Sequence, residues 1–139
     1  MVDYTQDFYG WTQEQAGLLR TGQWQHADMA NIIEEIETMG RSERRELENR
    51  LTVLLVHLLK WRYQANRRGR SWQLTIKEQR LEVQDVLADN PSLKSQLDTL
   101  FAAAYIKACV KTHLDEQIFP ATCPWTLQQL SDFDFYPDA

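Results

Sequence analysis

Between Lys60 and Trp72, cationic groups alternate with aromatic planes: Lys60, Trp61, Arg62, Tyr63, Arg67, Arg68, Arg70 and Trp72. That pairing suits single-stranded nucleic acid, because arginines take phosphates while aromatic faces stack bases. An acidic protein ligand would find the same cations equally useful. The plainer account is structural. The rings would finish one end of a core, and the arginines would pair with Glu34, Glu35 and Glu37, since charge runs near opposite charge usually solvate or pair.

Metal chemistry needs inward carboxylates and histidines, ideally as Glu-x-x-His on paired helices. The residues three before His26, His57 and His113 are Gln23, Leu54 and Val110, so that motif does not occur. Three histidines from separate helices could still converge on one ion, and His57, in the most apolar stretch, is the best candidate for a metal-dependent enzyme, although a lone histidine there more often donates to a neighbour. Glu34 with Glu37, or Glu35 with His57, would make an acid and base pair. Glutamates beside an isoleucine stripe are, however, normally the wet flank of an amphipathic helix. Cys123 precedes Pro124 at an expected helix N-terminus, where a thiolate would be stabilised; packing explains it as well. Cys109 reads as core. The five glycines form no phosphate-binding pattern, and no Gly-x-Ser-x-Gly or His-Glu-x-x-His is present. No catalytic residue is assigned and no cofactor is expected.

The 139 residues are 43% hydrophobic and 25% charged, which suits one domain spanning 1–139 with an ordinary core. The opening MVDYTQDFYGW lacks the basic then apolar pattern of a signal peptide. No apolar run approaches the roughly 18 residues of a membrane span. Two cysteines at no zinc spacing read as reduced thiols, so a cytoplasmic setting without membrane contact is expected. The net charge of −5 is uneven. Residues 41–80 hold eleven Lys or Arg against four Glu, a net +7 that leaves −12 for the remainder. An acidic whole disfavours nonspecific nucleic-acid binding, so a basic middle reads as internal pairing or as a patch for an acidic partner.

These residues need elements to position them, and the periodicity is helical throughout. Tyr4, Phe8, Tyr9 and Trp11 mark an arm that should pack on the bundle. Thr12 and Gln15 form a candidate capping box for a short helix closed by Gly22. Asp28 can cap a second helix carrying Met29, Ile32, Ile33, Ile36 and Met39 as a stripe that ends at Gly40. Gly40 then predicts a stop and Ser42 a new cap, with the two helices folding back as a hairpin or turning a corner. From Ser42 to Tyr63, Leu47, Leu51, Leu54, Leu55 and Leu58 wind onto one face, while Val53, Val56 and Leu59 occupy the other sides. A helix apolar most of the way round sits at the centre of a bundle. Its polar line is Glu46, Arg50, His57 and Gln64, with Glu46 and Arg50 spaced as an ion pair. After the loop QANRRGR, Ser71 should cap a helix from Trp72 to about Asp89 with Trp72, Ile76, Val83, Val86 and Leu87 inward. Asn90 and Pro91 open another, Ser92 to about His113, and Pro124 starts a short last one, PWTLQQL. The end, SDFDFYPDA, alternates acids with aromatics.

IIEEIETMGRSERRELENRL, LLKWRYQANRRGRSW, TIKEQR, DNPSL, FPATCPWTL and the opening YTQDFYGWTQEQAGLLR together resemble domain-of-unknown-function family twenty-nine, small bacterial proteins abundant in cyanobacteria. The resemblance spans nearly the whole chain, with MGRSERREL and RSW its most specific parts. It implies a helical fold and brings no activity, cofactor or catalytic residue.

The expectation is therefore an all-α bundle of about five helices plus a short C-terminal one, centred on Ser42 to Tyr63. The function expected is a noncatalytic interaction module that binds an acidic partner, or itself, through Trp61, Arg62, Tyr63, Arg67, Arg68, Arg70 and Trp72. A nucleic-acid binder using the same loop and a metal-dependent enzyme around His57 are the alternatives.

Overall fold

The computed structural model of the chain describes residues 1–138, and among them it is all α-helical with no strand. The five α-helices are α1 (Phe8–Arg20), α2 (Met29–Tyr63), α3 (Arg70–Asp89), α4 (Leu97–Lys111) and α5 (Leu127–Ser131). Two compact units divide the chain, Met1–Ser42 and Glu43–Ala139.

In Met1–Ser42, α1 begins earlier than the Thr12 and Gln15 spacing predicts. Asp7 is the cap, accepting from the Gly10 amide at 2.9 Å. Thr12 instead donates to the Tyr9 carbonyl, and buried Gln15 accepts from the Asp28 amide at 2.6 Å. The helix ends where Gly22 takes φ +75, with Gly22 N–H on the Leu19 carbonyl and Gln23 N–H on Leu18, the paired closure that a left-handed residue makes possible. Tyr4, Phe8 and Trp11 pack on one another, with Tyr4 edge-on to Trp11 at 4.7 Å and Phe8 stacked on it at 5.7 Å. Asp28 starts α2 as expected, accepting from the side chain of Asn31 at 2.7 Å.

Gly40 does not end that helix. α2 runs unbroken for 35 residues from Met29 to Tyr63, so the expected hairpin and the Ser42 cap are both absent. Glycine in a helix interior costs only about 1 kcal/mol relative to alanine, and the residues that follow, RSERREL, are mostly strong helix formers with no proline among them. Arg41 also bridges back across the glycine, donating to Glu34 at 3.1 Å and to the Thr38 hydroxyl at 2.9 Å.

In Glu43–Ala139, the α2 leucines form the core. Leu47, Leu51, Leu54, Leu55, Leu58 and Leu59 are fully buried, and Val56 is nearly so, so this stretch of α2 is enclosed over most of its circumference, leaving the line of Arg50, Val53, His57 and Lys60 partly exposed. They meet Ile76, Val83 and Val86 of α3, Leu100, Ala104, Tyr105 and Ala108 of α4, and Leu130 of α5. Each such side chain contributes roughly 1.5–3 kcal/mol by leaving water. Arg50 pairs with Glu46 at 2.8 Å.

Three boundaries in this unit differ from the sequence expectation. α3 starts at Arg70 behind Gly69, so Ser71 lies inside it. The segment after Asn90 opens as a 3-10 turn, Pro91–Gln96, before α4 proper. α5 begins at Leu127, not Pro124, because Thr126 and Gln129 form a reciprocal capping box that satisfies both ends of the first turn.

Candidate functional site

The basic and aromatic residues gather at the corner between α2 and α3, and the fold divides them. Trp61 follows Leu54 and Leu58 on the core face of α2 and is buried, its ring 4.8 Å from that of Tyr136. Arg68 lies over the same indole at 5.3 Å. Its Nε donates to the Trp61 carbonyl at 2.6 Å, satisfying an acceptor that the end of a helix leaves open. Its other nitrogens reach the C-terminal segment, the Pro137 carbonyl at 3.4 Å and the Asp138 carboxylate at 3.7 Å. Tyr63 packs edge-on against Phe119, Arg62 lies over the Tyr63 ring, and Trp72 packs half-buried on the core.

Arg67 and Arg70 remain at the surface, and among the described residues neither has a carboxylate within 4.0 Å. The glutamates considered as their partners are engaged differently: Glu34 by Arg41, and Glu35 by the hydroxyl of Tyr4. Arg70 is the first residue of α3. With Gln73, Leu74 and Lys77 it follows the i, i+3, i+4, i+7 spacing of one helical face. That face forms a groove of about 470 Å3 with Phe133, Asp134 and Tyr136. No side chain caps α3, so the partial positive charge of its first turn adds to Arg70. Lys77, Phe133 and Tyr136 carried no sequence signal for this site beyond the acid and aromatic alternation of the last residues.

Beneath the groove lies a residue that the sequence reading passed over. Arg80 is 2% exposed. Its Nε donates to the Leu130 carbonyl and one terminal nitrogen to the Phe135 carbonyl, both at 2.7 Å, with the Tyr136 ring 5.6 Å away. The other terminal nitrogen has no partner. Burial pushes its pKa below the usual arginine value, with Tyr136, Asp132 and Asp134 opposing that shift. Arg68 and Arg80 thus hold the acidic, aromatic end of the chain from two sides.

A family model described as "Domain of unknown function DUF29" matches residues 4–136. The chain belongs to that family. Comparison with curated proteins and with solved structures found no match. DUF29 membership supplies no activity, so chemistry must be judged on the geometry of individual groups.

His57 donates from Nδ1 to the Val53 carbonyl at 2.9 Å, which places the proton of the neutral ring on that nitrogen. Burial lowers its pKa, and Lys60 adds to the effect. Among the described residues no three His, Cys, Asp or Glu side chains come together as a metal ion requires. A hairpin would have returned residues 34–37 towards His57. An uninterrupted helix instead separates residues by about 1.5 Å for every position between them, which removes the Glu35 and His57 pair.

Both cysteines of this DUF29 chain are free. Cys123 is not at a helix N-terminus, since α5 starts four residues later. Burial pushes its pKa up to about 11, which is the opposite of nucleophile activation. It lines an apolar hollow of about 250 Å3 with Phe101, Tyr105, Ile106 and Trp125. No helix among the described residues is long and apolar enough to cross a membrane.

Proposed function

We infer that this DUF29 chain is a noncatalytic interaction module whose groove on the first two turns of α3 docks an acidic protein segment. The observation that carries this reading is the pair Arg70 and Lys77, which face one groove with no ion-pair partner within 4.0 Å among the described residues. Exposed Arg67 extends the positive field. Beside the groove, the acid and aromatic sequence DFDFYPD already gives Arg68 one carboxylate, that of Asp138 at 3.7 Å, while Arg80 takes the main-chain carbonyl of Phe135. A partner segment of the same character would place carboxylates on Arg70 and Lys77 and an aromatic ring beside Leu74 and Phe133.

Nucleic acid is the weaker reading because stacking platforms must be free. Trp61 is committed to Tyr136 and Arg68, and Tyr63 to Phe119 and Arg62. A cytoplasmic, reducing setting belongs to the reading because both thiols are free.

The test is fluorescence anisotropy with a labelled peptide of sequence SDFDFYPD, and with labelled single-stranded RNA, single-stranded DNA and duplex DNA as competitors. Saturable peptide binding that weakens with salt and is lost in Arg67→Gln/Arg70→Gln/Lys77→Gln supports the reading. Tighter binding of a nucleic acid through the same residues replaces it with the alternative. No binding of any probe at low salt retires the groove.

A further inference from the structure

Among the described residues, Met1–Ser42 buries one hydrophobic side chain, Trp11, while the unit that begins at Glu43 buries nineteen. It also holds nine of the fourteen large hydrophobic side chains that stand exposed. Four of these lie on α2: Met29 at 42% exposure, Ile33 at 54%, Ile36 at 58% and Met39 at 61%. The sequence pattern marks these residues as the apolar stripe of an amphipathic helix, so their exposure calls for a partner.

The stripe has its own geometry. Met29, Ile33, Ile36 and Gly40 are spaced four, three and four residues apart, the seam spacing of paired helices. Gly40 is helical, and beyond its chain neighbours and the adjacent turns of its own helix backbone a Cβ there would meet nothing within 4 Å, so the backbone at that point is open to close approach. Glu37 and Arg41, four residues apart, share one flank of the seam.

We propose that two copies of this chain associate by crossing their α2 helices antiparallel at Ile36 and Gly40. A two-fold axis between these residues sets Ile36 of each copy over the open backbone of Gly40 in the other. Because a two-fold axis lays each flank against the same flank in reverse order, Glu37 of one copy meets Arg41 of the other, and the pair occurs twice. A parallel crossing would instead lay that flank against the partner's other flank, which carries Ile32 and Met39, and would leave Glu37 and Arg41 facing apolar side chains rather than opposite charges. The charge pattern selects antiparallel self-pairing over a parallel one. The existing Arg41 contact with Glu34 is between side chains more than half exposed, so exchanging it costs little.

Sedimentation equilibrium of the full chain across micromolar to submillimolar concentration reads the outcome. The expected mass is twice the 16.4 kDa of one chain. Ile36→Asp should raise the dimer dissociation constant by at least about a hundredfold, with unchanged far-UV circular dichroism. Glu37→Arg alone should weaken the dimer, and Glu37→Arg/Arg41→Glu should restore it, a rescue specific to antiparallel pairing. A monomer at every concentration overturns the proposal, as does a dimer indifferent to Ile36→Asp. A double charge reversal no better than the single one overturns the antiparallel arrangement.

Discussion

Arg80 donates from within the core to the Leu130 carbonyl at 2.7 Å, fastening α5 to α3 across fifty residues of sequence. The same guanidinium holds Phe135, so removing it orphans two acceptors. Arg80→Met keeps the apolar volume of the stem and deletes the donors. Relief of the desolvated charge offsets part of the loss, leaving an expected cost on the order of 2 kcal/mol. Thermal unfolding should show a Tm lower by about 6 °C. A Tm equal to wild type would mean that the C-terminal segment is held by its aromatic contacts alone.

The three loop arginines should separate in a stability assay. Arg68→Gln breaks the contacts to Trp61, Pro137 and Asp138 and should cost about 1.5 kcal/mol. Arg67→Gln and Arg70→Gln should each stay within about 0.5 kcal/mol of wild type. Urea unfolding of the three single variants measures this directly, and equal effects at all three positions would contradict the division of labour at the corner.

His57 sets a pH dependence whose sign follows from its burial. Its folded pKa is depressed, so the unfolded chain binds the proton first. Stability is therefore lost as pH falls through the ordinary histidine value of about 6.5 and on down to the folded pKa, and is unaffected by this group above that range. The slope of Tm against pH across this window should be shallower in His57→Gln. Parallel profiles for the two proteins would remove His57 as the source.

Cys123 should be a sluggish nucleophile. With its pKa at about 11 by burial, the thiolate is scarce at neutral pH. Iodoacetamide should modify it far more slowly than a free thiol such as glutathione at pH 7, with mass spectrometry locating the adduct. Alkylation as fast as that of glutathione would indicate an activating environment instead.

The candidate groove was only half legible before the fold was known. Arg67 and Arg70 stood out as part of a charge run, and their exposure follows from the turn that QANRRGR forms. Lys77 was one charge among eleven, and nothing local distinguishes it from Arg80 three residues later on the same helix. One is exposed and the other buried because Phe135 and Leu130 return to cover only one line of α3.

By itself the sequence determined the helical class, the leucine-rich centre, the left-handed closure at Gly22 and the cap at Asp28. These depend on interactions within a few residues: hydrophobic spacing at 3.6 per turn, and side chains that reach the nearest free amides. Only the tertiary structure decided that Trp61 and Arg68 serve the fold, and that Arg80 is interior. The placing of Trp61, Arg68 and Arg80 turns on contacts that local sequence does not contain, whereas at Gly40 the helix formers that follow outweigh a local penalty that the sequence reading set too high. A modest glycine penalty is set against the continuation of a 35-residue helix, and an arginine's desolvation against two carbonyls supplied from fifty and fifty-five residues away.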